Sequence, residues 1–281
     1  MAPGLPDIRS VPPDLAPPPM GEGEPGPGRR VRQVLPGSGG THVYHALYLP
    51  TDWQPGRGYP VIVEYTGNGS YCNEFGDVCT GRVEDSKMGY GISGGQGSLW
   101  LCLPFVDAAQ KRNAAVWWGD VEATVDYCQR AVRLLCEEYG GDREAVILAG
   151  FSRGAIACGH IGLHDDATAG LWLAFVAFSH YDGAIESWPY AGADRASALA
   201  RLQRLGGRAS FVCNEGARVW AAVEKHILAS GVQAPFTFCG TGFRNHDDAW
   251  VLRVSPARRA LRQWLQEVLE TRPGRRPPGA Q

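Results

Sequence analysis

The chain has 281 residues, 44% of them hydrophobic, with 27 Lys and Arg against 29 Asp and Glu for a formal net charge of −2. That is enough apolar material for one large α/β domain or two smaller ones, and the near-neutral balance excludes a nucleic-acid footprint or a polybasic membrane surface. No apolar run approaches the roughly 18 residues that span a bilayer, and prolines and charges stand where a secretory signal needs an apolar stretch, so the cytoplasm is favoured over secretion.

Residues 1–40 are rich in Pro and Gly, with Pro12-Pro13 and Pro17-Pro18-Pro19. That composition predicts a mobile tail or spacer, as it does for residues 271–281. The first strand is expected over His42–Leu49, alternating and so wet on one face. Pro60–Tyr65 reads as the next strand, ending in Thr66-Gly67-Asn68-Gly69-Ser70. From Ser70 to Gly97 the chain is glycine-rich and irregular, longer than an ordinary connection and therefore expected to border a site. Leu99–Phe105 is a third strand. Asp120 caps a helix whose apolar residues Val125, Cys128, Val132 and Leu135 recur at helical spacing, ended by Gly140-Gly141. Later come a fully apolar strand over 171–178, a helix carrying Leu199, Leu202 and Leu205, and a strand at Ala209–Cys213. A helix over 217–229, a strand at Pro235–Cys239 and an amphipathic helix opened by Ser255-Pro256 follow. Strands alternating with helices from 60 to 270 demand a mainly parallel sheet flanked by helices on both faces, in one domain over residues 41–270.

The eight cysteines do not form a disulfide scaffold. Six fall in strands or helices as small buried hydrophobes. Cys72 and Cys79 share a polar loop that admits a local disulfide in an oxidising compartment. No pair has zinc-site spacing.

One turn organises the rest. The apolar run Ala145–Ala149 leads into Gly150-Phe151-Ser152-Arg153-Gly154, and small residues lead out. Strand, sharp turn and helix in that order are the context in which G-x-S-x-G means a nucleophile elbow. Gly91-Ile92-Ser93-Gly94-Gly95 matches the same pattern but precedes a strand, so Ser152 is selected and Ser93 rejected. A serine hydroxyl needs a base held by a third group, and in parallel sheets such groups gather beyond the carboxyl ends of the strands. After the strand at 209–213 comes Glu215; after the strand at 235–239 comes His246. The chain order is then nucleophile, acid, histidine. Asp182, which also follows a strand, is the alternative acid, and Asp247 and Asp248 adjoin the histidine. His160, His164, His180 and His226 are the rival histidines. His160 and His164 form an i, i+4 pair, but a metal reading is set aside for a plain helix surface, and no cofactor is expected.

With these motifs in place the chain resembles the α/β-hydrolase family from about Thr41 to Glu270, on the side of the dienelactone hydrolases and the feruloyl and acetyl-xylan esterases. The resemblance implies an acyl-enzyme hydrolase acting on a small-molecule or glycan-linked ester. It implies an oxyanion hole from the backbone N–H of Arg153 with one from Gly67 or Asn68. The sequence departs from the family in using Glu where Asp is commoner and in lacking a His-Gly-Gly-Gly run. The Arg153 side chain is expected to pair with a carboxylate or to meet an anionic substrate. Trp117, Trp118, Tyr71, Tyr181 and Trp250 are candidates for a cleft lining. The competing readings are a serine peptidase on the same scaffold and a non-catalytic binding protein.

Overall fold

The computed structural model describes residues 4–272, the side chains of 217–219 excepted. Nine strands form the main sheet: β1 (Met20–Gly21), β2 (Arg30–Gln33), β3 (His45–Tyr48), β4 (Tyr59–Tyr65), β5 (Leu99–Leu103), β6 (Gly141–Phe151), β7 (Ala174–Phe178), β8 (Ala209–Asn214) and β9 (Phe236–Gly240). Their spatial order is β1-β2-β3-β5-β4-β6-β7-β8-β9. Only β2–β3 and β3–β5 pair antiparallel; every other neighbour is parallel. The helices are α1 (Met88–Ser93), α2 (Val121–Tyr139), α3 (Arg153–His160), α4 (Asp166–Ala169), α5 (Arg195–Leu202), α6 (Ala217–Ala229) and α7 (Pro256–Thr271).

Side-chain alternation along β4 shows how the sheet makes two cores. Val61, Val63 and Tyr65 join the core beneath α2, α3 and α5, and Ile62 joins the one beneath α1 and α7. The two long helices follow their capping residues: Asp120 accepts from the Ala123 N–H at 2.9 Å, and Ser255 from the Arg258 N–H at 3.1 Å with Pro256 at the first position.

Three expectations need correction. Residues 4–40 are not an unpacked tail (residues 1–3 lie outside the described residues): Ile8 is 1% exposed, its N–H reaches Asn245 Oδ1 at 2.7 Å, and Asp14 forks onto Arg258 at 2.6 and 2.7 Å. Prolines forbid helix and inner strand, but they leave carbonyls free and do not prevent scattered apolar residues from docking on a finished fold. The first strand has no wet face; all four residues of β3 are buried, because β2 covers its edge and the turn at Val83 its outer side. Finally, the 70–97 stretch contains α1 and an antiparallel ribbon pairing Tyr71–Cys72 with Val78–Cys79. Its glycines there serve close packing. A Cβ on Gly89 would sit 2.0 Å from the Trp100 ring and one on Gly91 2.1 Å from Val251. The fully buried Glu64 carboxylate accepts the N–H groups of Lys87, Met88 and Gly89 at 2.9–3.2 Å, closing the start of α1. Ser93 ends this helix with its hydroxyl turned back to the Gly89 carbonyl at 2.9 Å. Cys72 and Cys79 are both free thiols. Residues 273–281, the end of the predicted C-terminal tail, lie outside the described residues.

Candidate functional site

Strand β6 runs straight into α3 through a single residue. Ser152 has φ 54° and ψ −114°, a conformation a side chain adopts only under strain. The turn is tight enough that both flanking glycines are obligatory. A Cβ on Gly150 would lie 2.0 Å from the Gly154 carbonyl oxygen, and one on Gly154 would lie 1.9 Å from that of Tyr65. The Ser152 N–H is held by the Phe178 carbonyl at 2.8 Å, which ties the apex to the end of β7.

Two loops from neighbouring strand ends meet this serine. Glu215 directly follows β8, and His246 lies in the loop after β9. His246 Nε2 stands 3.0 Å from Ser152 Oγ, and its Nδ1 stands 2.6 Å from Glu215 Oε1. A carboxylate can only accept, so Nδ1 carries the proton and Nε2 is free to accept from the serine. Burial works to raise the Glu215 carboxyl. The hydrogen bond and charge of His246, with a bond from the Ser179 hydroxyl, outweigh it and hold the group below its ordinary value.

The alternative acid is elsewhere engaged. Asp182 is paired to Arg201 at 2.7 Å and to the Tyr190 hydroxyl at 3.0 Å. Asp247 closes its own turn on the Ala249 N–H, and Asp248 pairs with Lys87 at 2.7 Å. Nor do the paired histidines converge: His160 packs on Trp118 with ring centres 4.9 Å apart, while His164 meets Glu122.

A cavity of about 320 Å³ opens on Ser152, lined by Asn68, Tyr71, Trp117, Arg153, Ile156, His180, Trp188, Glu215 and His246. Asn68 and Arg153 are therefore at the cavity wall; Gly67 is not among its lining residues. Of the aromatic candidates, Tyr71 and Trp117 face the cavity, whereas Trp118, Tyr181 and Trp250 are core residues. The expectation for the Arg153 side chain is corrected. It is 1% exposed and meets carbonyl oxygens, Trp117 at 2.5 Å and Gly81 at 3.3 Å, with Phe105 beneath it, rather than a carboxylate. It fastens the 114–118 loop to the serine turn.

Sequence reasoning missed Ser179, Trp188 and Asp77. Asp77 Oδ2 accepts the His246 N–H at 2.9 Å and Oδ1 the Asn245 amide at 2.7 Å, so the histidine loop hangs on a buried carboxylate. His180 is known from the sequence as a rival histidine but stands beside His246, ring centres 5.6 Å apart, with its pKa pushed down to about 4 by burial and then by that neighbour.

No protein-family model matches the sequence, and no curated protein matches it. Solved structures do. An esterase from Rhizomucor miehei superposes with a TM-score of 0.54 at 12% identity, over 86% of this chain and 83% of that one. A putative dipeptidyl aminopeptidase IV from Bacteroides ovatus gives 0.54 at 13% identity, over 85% of this chain. This chain spans only 35% of that peptidase's length. An S-formylglutathione hydrolase from Agrobacterium tumefaciens gives 0.50 at 14%, over 81% and 88%.

Proposed function

We propose that this chain, which has the α/β-hydrolase fold of these neighbours, is a serine hydrolase that cleaves carboxylic esters through an acyl-enzyme on Ser152. One observation carries the reading: the unbroken line from Ser152 Oγ to His246 at 3.0 Å and from His246 to Glu215 at 2.6 Å, opening on a cavity. His246 takes the hydroxyl proton as Oγ attacks the acyl carbonyl, and returns it to the leaving alcohol. Glu215 keeps the imidazole in the required tautomer and stabilises its cation. The Arg153 N–H, unpaired by position at the first turn of α3, receives the developing oxyanion. Asn68 is favoured over Gly67 as the source of a second N–H because it lines the cavity. Water then enters by the same proton route and releases the acid. The catalytic unit takes in 41–270 and the segment from about Asp7 that anchors the histidine loop.

The roughly 320 Å³ site suits a small-molecule or glycan-linked ester. Peptide hydrolysis is the rival, since one similar structure is of a putative dipeptidyl aminopeptidase. A fluorophosphonate probe is expected to label the wild-type protein and not Ser152→Ala. Labelling that survives that substitution sinks the enzyme reading. A matched panel of small esters and dipeptide amides separates the rivals, with turnover expected on the esters.

A further inference from the structure

We propose that Ser179 is a fourth, positioning member of the site, a hydroxyl wedged between the acid and the histidine. The inference deepens the serine-hydrolase reading and rests on it. Ser179 is the first residue after β7, fully buried, and its Oγ lies 2.8 Å from Glu215 Oε1 and 2.8 Å from His246 Nδ1. The three atoms form a closed triangle, because Oε1 and Nδ1 are themselves 2.6 Å apart. A hydroxyl has one proton and two lone pairs. Its proton goes to the carboxylate, which can only accept, and a lone pair then faces the Nδ1–H. Ser179 thus fixes the oxygen that the histidine uses and gives the imidazolium a second acceptor.

Two features separate this from a chance contact. The Ser179 backbone has φ 83°, a region that suits glycine, yet a side chain is kept there. That backbone is itself pinned, its N–H on the Cys213 carbonyl at 2.8 Å, so the hydroxyl is delivered from a fixed point. Among the described residues Glu215 has nothing else to orient it: Oε2 is buried there without a partner, and Oε1 carries both bonds. Without Ser179 the carboxylate is free to turn about its last torsion and offer the other oxygen. Among the described residues, the other polar groups beside the pair are His180, the Tyr71 ring 4.8 Å from His246, and Asp77 on the His246 N–H. None of these contacts reaches the carboxylate of Glu215.

Ser179→Ala and Ser179→Gly test the proposal together. Alanine keeps the strain and removes the hydroxyl, while glycine removes both. Each is expected to lower kcat about tenfold on a small ester with KM little changed, the size of one charge-assisted hydrogen bond. The acid limb of the kcat/KM profile, set by protonation of the base, is expected to move to lower pH in both, because the imidazolium loses its second acceptor. Ser179→Gly is expected to be at least as stable as wild type while showing the same kinetic loss. A purely structural role predicts the opposite split, with activity following stability and the limb unmoved. The downfield proton resonance of the His246 Nδ1–H is expected to shift in both variants and reports on the triangle without turnover. Variants with kcat within about twofold of wild type, an unmoved limb and an unshifted resonance overturn the assignment of Ser179 and leave the hydrolase reading intact. Wild-type protein with no turnover and no fluorophosphonate label overturns the reading beneath it, and the resonance then decides the geometry alone.

Discussion

Asp77→Asn tests how the histidine is held. The carboxylate accepts three hydrogen bonds, from Asn245 Nδ2 at 2.7 Å on Oδ1 and from His246 N at 2.9 Å and Asn73 Nδ2 at 2.8 Å on Oδ2, and the half-exposed Arg9 guanidinium stands 3.5 Å from Oδ1. An asparagine of the same shape offers one oxygen and one NH2, so an N–H must face an N–H whichever way it sits. The least costly escape turns the Asn245 amide over, but its Oδ1 is the acceptor for the Ile8 N–H at 2.7 Å, and that donor is then stranded in a buried place. Replacing three charge-assisted bonds by neutral ones loses about 1 kcal/mol each, and the stranded N–H costs about 1–3 more before relaxation. With neighbouring terms overlapping, the expected loss is about 3 kcal/mol of stability. Because His246 is suspended by its own N–H, kcat/KM on p-nitrophenyl acetate is expected to fall about 10- to 100-fold, the usual effect of a small misplacement of a catalytic group. Urea unfolding and ester turnover on the same preparation read both. Wild-type stability and turnover in Asp77→Asn would refute the suspended-loop argument.

Four further outcomes follow from the structure. Glu215→Gln is expected to lower kcat about 10³- to 10⁴-fold by permitting the wrong imidazole tautomer. Asp182→Asn is instead expected to cost about 3 kcal/mol of stability by stranding Arg201 while sparing turnover of the folded protein; the reverse pattern would move the acid role to Asp182. Deleting residues 1–16 exposes the Ile8 site and unpairs Arg258 from Asp14, so a loss of at least about 2 kcal/mol is expected in urea unfolding, and an unchanged midpoint would show the segment to be dispensable. Burial pushes the His45 pKa down to about 4 and that of His160 to about 3, so the unfolded chain binds more protons than the folded one as pH falls below 6.5. Stability tied to each is complete above pH 6.5 and is lost on acidification from there down to about 4 for His45 and about 3 for His160, about 2 kcal/mol apiece by pH 5. His45→Gln is expected to flatten the pH 7-to-5 loss by about that amount, and an unaltered loss contradicts the assignment.

What could be read in the sequence was whatever is local in the chain. Strand, turn and helix about Ser152 are contiguous, and the two glycines there have no substitute. Glu215 and His246 could be singled out because each lies in the segment after a strand of a parallel sheet, and strand ends are where such a sheet gathers its groups. The N-terminal segment defeated the same approach. Its anchors, Ile8 on Asn245 and Asp14 on Arg258, join residues more than two hundred positions apart, and nothing in a proline-rich stretch signals them. Glycine misled in the 70–97 stretch for a different reason. Gly89 and Gly91 leave room for Trp100 and Val251, a tertiary requirement that looks like loop composition. Ser179 is one serine at a strand end, distinguished only by which two side chains close on it. Arg153 was expected to seek a carboxylate, but the turn that buries it offers only carbonyls.

The most direct measurement of the central claim is the covalent intermediate itself. His246→Ala protein mixed with p-nitrophenyl acetate, quenched in acid and digested, is expected to carry one acetyl group on the peptide containing Ser152, because attack can proceed slowly without the base while deacylation stalls. The double variant with Ser152→Ala should carry none there. An acetyl group confined to another residue, with wild-type turnover intact in Ser152→Ala, would contradict an acyl-enzyme on this serine.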